Sequence, residues 1–255
     1  MIKKIIKITL ISSVSLSCIN AIEIKNNEEA INIAGKQRMF TQKIMKDYSM
    51  IGMKNTFGNP TEDMKKTKMA FEDAISSLKG YNKDAEIDKK IATVDEEWKK
   101  INSLLTDDPK KENAIKLNDA LNNLLKVSDD LTKSFEGDKA GSEIINISGR
   151  QRMLSQKMAS IYMLKVWNVG DESINKSLDD TMALFAESSK TLKEAKETTP
   201  EIKKILVKVD KLFLYLKMMN KRDTQKFIPS LIYKKSNDML KKMNDATILY
   251  VKGGK

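Results

Sequence analysis

The sequence predicts an all-α protein of two tandem up-and-down four-helix bundles, packed as a pseudo-twofold pair with the first helix of each unit at the interface. Three observations carry this expectation. Ile31-Asn-Ile-Ala-Gly-Lys-Gln-Arg-Met-Phe-Thr-Gln-Lys43 returns, about 114 residues on, as Ile145-Asn-Ile-Ser-Gly-Arg-Gln-Arg-Met-Leu-Ser-Gln-Lys157. Apolar residues between and after the two copies recur at helical spacing. Charged residues make up 32% of the chain and aromatics 6%, with only 10 Gly and 4 Pro, the composition of helices with polar outer faces; 15 Met suggest soft core filling.

The elements follow in order. Asn26 or Asn27 offers a helix cap, with Glu28 and Glu29 at the positive end of the dipole, and this first helix is expected to run to about Asn55. Gly58-Asn-Pro60 breaks it, and Thr61 opens a second helix to about Leu78 that carries Met64, Met69, Phe71 and Ile75. After Gly80 a third, about Ala85 to Leu105, places Ile91, Val94, Trp98 and Ile101 on one stripe. Asp107-Asp-Pro109 ends it, and a fourth from about Glu112 to Ser134 should bury Ile115, Leu117, Leu121, Leu124, Leu125 and Leu131. Residues 137–141, with a glycine at each end, form the expected linker between units at 26–136 and 142–252. The second unit repeats the plan. Its helices run from about Ser142 to Val169, then to Lys196, from Glu201 to Asn220 and from Thr224 to Val251. Phe185 answers Phe71, and Val209-Asp-x-x-Phe213 answers Val94-Asp-x-x-Trp98, so whole units were duplicated.

Residues 1–21 read as a cleaved export signal: Lys3, Lys4 and Lys7 precede an apolar run too short to span a bilayer, and small residues follow. Lipid anchoring at Cys18 is the rival, but Ser15 stands where a lipoprotein signal normally has a Leu-like residue. Cleavage after Ala21 removes the lone cysteine, so the exported chain must be stable through its core. No later segment is apolar enough to cross a membrane, and the expected location is the periplasm. The formal charge of +11 falls to about +8 without the signal lysines. These lysines are mixed with acids along the helices and form no basic stripe with aromatics, which argues for a solvated surface and against nucleic acid.

The repeated helix has two packed sides. Advancing about 100° per residue from Ile33, the residues Phe40, Ile44, Tyr48 and Ile51 form an ordinary apolar stripe. The opposite side holds Ile31, Ala34, Gly35, Arg38, Gln42, Met45 and Ser49, matched in the second copy by Ile145, Ser148, Gly149, Arg152, Gln156, Ala159 and Met163. A mid-helix glycine costs about 1 kcal/mol against alanine, so keeping it twice implies the close approach of another backbone. The natural partner of this face is the other copy. Four helices return the chain to its starting end, so the repeated helices can lie parallel with Arg38 facing Arg152. Two guanidinium groups about 6 Å apart repel by about 3 kcal/mol at an effective dielectric of about 20, and an anion between them reverses the sign. Planar forked donors suit planar oxyanions such as nitrate.

The plainer reading is that each arginine pairs with an acid on a neighbouring helix and fixes register. Lys36 and Arg150 point some 160° away and read as surface charges or a secondary attraction for the anion, Gln37 and Gln151 as partly exposed, and Gln42 and Gln156 as candidates for bonds between the helices. Met39 and Met153 read as packing, and Trp98 and Phe213 as core.

The shared pattern Asn-x-(Ala/Ser)-Gly-(Lys/Arg)-Gln-Arg-Met-(Phe/Leu)-(Thr/Ser)-Gln-Lys resembles the signature of the PilJ-type sensory domain of methyl-accepting chemotaxis transducers, and also the P-box of NarX-type nitrate-sensor kinases. The resemblance implies a helical bundle. In the nitrate sensors the motif arginines of two subunits bind one nitrate at the dimer interface, which implies that role for Arg38 and Arg152 and a lining role for Gly35 and Gly149. Ala34, Ser148, Gln42 and Gln156 complete the candidate ligand-binding set. Unlike those receptors, the sequence shows no transmembrane helix, HAMP domain, kinase or chemotaxis signalling region after either unit.

The expected function is therefore a soluble periplasmic sensory protein, a monomer with an internal pseudo-dimer. It would bind a small anion such as nitrate or nitrite and report to a membrane-bound receptor, histidine kinase, chemotaxis transducer or transporter. The alternative is a helical adaptor that uses the repeated face for a protein partner. The chain has no histidine, no glycine-rich phosphate loop and no clustered carboxylate motif, so no enzyme activity, metal or cofactor is expected.

Overall fold

The computed structural model describes residues 22–137, 141–221 and 228–253. The expected signal segment, with Cys18, lies outside them, as do most of the linker and residues 224–227 of the expected last helix. Eight helices occupy the described residues: α1 Asn27–Gly52, α2 Pro60–Tyr81, α3 Ala85–Asn102, α4 Lys111–Glu136, α5 Ser142–Val166, α6 Ser173–Glu194, α7 Pro200–Lys221 and α8 Pro229–Val251.

Local chemistry sets the ends. Asn26 Oδ1 accepts from Glu29 N at 2.9 Å, and Asp84 Oδ1 from Glu86 N at 2.8 Å and Ile87 N at 3.0 Å. α2 starts one residue earlier than expected because Pro60 occupies the first turn, where its missing N–H costs nothing. α1 and α5 each stop about three residues short of the expected end. The reason is the same in both: Lys54 (φ 56°) and Asn168 (φ 53°) turn left-handed, and the next amide bonds back five residues, Asn55 N to Met50 O and Val169 N to Leu164 O, both at 2.9 Å.

Within each unit the helices form a closed ring of antiparallel neighbours, α1–α2–α3–α4 and α5–α6–α7–α8. The two rings share one central seam, α1 on α5, flanked by α1 on α8 and by α4 on α5. The cores repeat in detail: Phe71 stacks on Trp98 with ring centroids 4.5 Å apart, and Phe185 on Phe213 at 4.6 Å. Met69 and Ile115 depart from the expected core. Met69 sits on the outer face of α2, and Ile115 is 54% exposed near the start of α4. At the far end of the seam Trp167 lies across Gly52, and its ring meets Tyr48 edge-on at 6.0 Å.

Among the described residues no helix is long and apolar enough to cross a membrane.

Candidate functional site

The hydrogen bonds across the seam fix the arrangement of α1 and α5. Arg38 Nη2 donates to Asn146 O at 3.4 Å, and Arg152 Nη2 donates to Asn32 O at 3.3 Å, so each arginine reaches the motif asparagine of the other copy. Two turns on, Ser160 Oγ donates to Gln42 Oε1 at 3.2 Å and Lys46 Nζ to Gln156 Oε1 at 2.7 Å. Partner numbers rise together along both helices. The seam is thus parallel and in register about a pseudo-twofold axis, as the helix count implied.

Both arginines are sealed in, Arg38 at 1% exposure and Arg152 at 0%. Ala34, Gly35, Ser148, Gly149, Gln42 and Gln156 are buried beside them on the same seam. The glycines do not serve the close backbone approach expected of them. A Cβ on Gly35 would lie 3.2 Å from Arg38 Nη2 and 3.6 Å from Arg152 Nη2; on Gly149 it would lie 3.2 Å and 3.3 Å from the Nη2 of Arg152 and Arg38. The missing side chains make room for two converging guanidinium tips. Ser148 Oγ pairs with Thr247 Oγ1 at 2.7 Å, a bond that Ala34 cannot make.

The two copies differ in charge balance. Arg38 Nη1 donates to Asp129, whose carboxylate also pairs with Lys133 at 2.8 Å. At the position equivalent to Asp129, α8 carries Asn244, and Arg152 Nη1 donates to its neutral Oδ1 at 3.2 Å. Among the described residues acid pairing therefore holds for one arginine only. The Nε of each is buried without a hydrogen-bond partner among the described residues. Burial, followed by repulsion from Arg38, pushes Arg152 down to about 9, a measure of how poorly this site holds the bare charge. Arg38 is also lowered, by burial first, with Asp129 opposing and Arg150 adding. Lys36 corrects its reading as a surface charge: it is half-buried, and burial and Arg152 lower its pKa. Two arginines and two flanking cations thus feel one another.

Gln37 and Gln151 are also buried rather than partly exposed. Gln151 Nε2 donates to Phe185 O at 2.8 Å, which ties the seam helix to α6.

A second polar cluster escaped the sequence reading. Lys46 is fully buried; its Nζ donates to Gln156 Oε1 and to Asn237 Oδ1 at 2.5 Å and sits 4.2 Å above the Tyr233 ring. Asp47, equally buried, takes Lys43 Nζ at 3.2 Å, and Lys43 also pairs with Asp63 at 2.8 Å. Tyr233 Oη donates to Asp63 Oδ2 at 2.8 Å. The helical wheel held the signal, since Lys46 falls about 40° from Gln42 on the second face.

Burial pushes Lys46 down to about 8, against the pull of Asp47. Below that pH folded and unfolded chains are both protonated there and stability carries its full cost. Between about 8 and the ordinary lysine value the unfolded chain binds more protons, so stability rises with pH, by on the order of 2 kcal/mol. Chemical denaturation at pH 7 and pH 10 should show this rise in the wild type and a smaller one in Lys46→Met.

Comparison with curated proteins and with solved structures finds no match. The family model described as the type IV pili methyl-accepting chemotaxis transducer N-terminal domain, PilJ, matches residues 22–129 and again 135–217, most of the chain and the whole of both seam helices. Two matched segments, each carrying one copy of the motif on its first helix and together covering most of the chain, place it in the PilJ family of sensory domains.

Proposed function

We propose that the chain is an exported sensory protein that binds one small planar oxyanion, nitrate or nitrite, between its two motif helices and reports occupancy to a membrane-bound receptor or transporter. The observation that carries this reading is Arg152: a fully buried guanidinium with no carboxylate against it among the described residues, converging on a second guanidinium over two glycines. An unpaired buried cation costs several kcal/mol, and a register-fixing arginine needs no such cost. An anion at the Nη2 tips or the free Nε atoms would supply the missing charge and hydrogen bonds. The resemblance to nitrate sensors supports the same pairing, with two copies in one chain replacing two subunits. The set proposed to line the site is Arg38, Arg152, Gly35, Gly149, Ala34, Ser148, Gln42 and Gln156.

The adaptor reading has less to stand on, because the repeated face is buried between α1 and α5 and is not offered to a partner. Calorimetric titration of the mature chain with nitrate, nitrite and sulfate tests the proposal. One site per chain, lost in both Arg38→Ala and Arg152→Ala, is the expected outcome. No heat and no thermal shift with any of the three would overturn it.

A further inference from the structure

The pseudo-twofold axis that relates the two rings allows one cavity to be read against its own filled counterpart. A cavity of about 720 Å3 opens between α4 of the first unit and α5 and α6 of the second. Its size suits a small organic molecule. Its deep wall is apolar, with Ile161, Leu164 and Ile174; Gln42 and Asn122 lie at its floor and Lys157 at its side. Lys157 is half-buried, its pKa lowered by burial, and its ammonium has no partner among the described residues.

The equivalent place in the other half of the molecule, between α8 and α1 with α2, is full. There Lys43, the counterpart of Lys157, is paired with Asp63; the matching position on α6 is Ser177, which lines the open cavity. Tyr233, the counterpart of Asn118, lays its ring into the space, over Gly58 and under Lys46, and its hydroxyl donates to the same Asp63. Asn55 Nδ2 donates to Ser230 Oγ at 3.2 Å and closes the mouth, where the open side has Val169 and the exposed Ile115. One half therefore fills itself with an aromatic ring and a carboxylate on a motif lysine. The other half keeps the lysine and lacks both.

We infer that the open cavity is a second binding site, for a small organic carboxylate with an aromatic or branched apolar body, whose carboxylate takes Lys157 as Asp63 takes Lys43 and whose body fills the volume that Tyr233 fills across the axis. Ser177 and Asn122 are placed to bond the carboxylate or its neighbouring polar atoms. Asp119 and Asp171 at the rim would meet an ammonium on the same ligand, so amino acids and plain carboxylates share the essential chemistry. The site uses neither arginine and shares only Gln42 with the set proposed for the anion, so it does not depend on that reading.

The test is calorimetry of the mature chain with phenylacetate, 4-methylpentanoate and phenylalanine, and with phenylacetamide as the uncharged control. At least one carboxylate should bind one site per chain, and phenylacetamide should bind at least about tenfold more weakly than phenylacetate, since the charge-assisted bond is lost. Lys157→Met should weaken carboxylate binding by at least about tenfold. Asn118→Tyr with Ser177→Asp, which copies the filled half onto the open one, should abolish binding and raise Tm without ligand, showing that it still folds. Tighter binding of phenylalanine than of phenylacetate would assign the rim acids to an ammonium, and the reverse would assign a plain carboxylate; both satisfy the inference. It is overturned if no carboxylate binds, if the amide binds as well as the acid, or if the filled variant binds like the wild type. Arg152→Met must leave this binding intact and the filled variant must leave the nitrate response intact, so failure at one site is distinguishable from failure at the other.

Discussion

Arg152→Met should raise the melting temperature of the anion-free protein and erase its response to nitrate. Most substitutions of a fully buried, hydrogen-bonded side chain lower stability, so the sign is diagnostic. The loss is two neutral acceptors, Asn244 Oδ1 at 3.2 Å and Asn32 O at 3.3 Å, of which the second already serves a helix. Each such bond contributes about 1 kcal/mol net. The gain is removal of a desolvated cation held against Arg38 with no carboxylate of its own among the described residues, a cost of several kcal/mol, replaced by a flexible apolar chain that fills the inner part of its space. The balance favours the variant by roughly 1–3 kcal/mol, or several degrees in Tm for a chain of this size. Arg38→Met should behave otherwise, because it strands Asp129 with Lys133 as its remaining partner. Thermal melts of both variants, with and without nitrate, check this. A fall in Tm for Arg152→Met equal to that for Arg38→Met would mean that Arg152 is a structural residue. A site whose ligand-free form is less stable than a simpler substitute is what a binding function, and not folding, would keep.

The fold was legible because its signals are local and occur twice. Helical periodicity, Gly and Pro breaks and the repeated motif were enough to place the elements and the parallel seam, and the errors at α1 and α5 came from left-handed turns at Lys54, which has no preference for that region, and at Asn168, whose preference the longer helical pattern outweighed. The arginine pair was legible for the same reason, since a helical wheel places both on one face. What the sequence hid was asymmetry between the copies. That Asp129 and Asn244 stand opposite equivalent arginines depends on aligning α4 with α8, where few residues match. The glycines misled because a missing Cβ signals close approach without saying of what; here it is guanidinium. The buried Lys46 and the filled and open halves arise from contacts between elements far apart in sequence, Lys46 with Asn237 and Lys43 with Asp63 and, through it, Tyr233.

Gly52→Val should destabilise the far end of the seam. Gly52 ends α1 in ordinary helical geometry, so backbone freedom is not its reason for being there. Its reason is Trp167: a Cβ at this position would fall 2.2 Å from Cζ2 and 2.3 Å from Cη2 of the indole. No rotation of a flexible side-chain end relieves that contact, because the indole is a rigid plane that also meets Tyr48, one turn earlier on α1, with the ring centroids 6.0 Å apart. The tryptophan must leave, or the end of α1 must move away from α5. Overpacking of this kind costs 1–3 kcal/mol where neighbours can yield, and Trp167 is only half-buried, so the expected loss is about 2 kcal/mol, or roughly 4–8 °C in Tm. Gly52→Ala should show most of the effect, since the clash is already present at Cβ. The companion variant Trp167→Ala separates clash from propensity. In the double variant Gly52→Ala/Trp167→Ala the glycine substitution should become neutral or slightly stabilising, because alanine is the better helix former once the ring is gone. A double variant whose two losses simply add would show that the indole does not rest on Gly52, and with it that the two motif helices do not close together at this end.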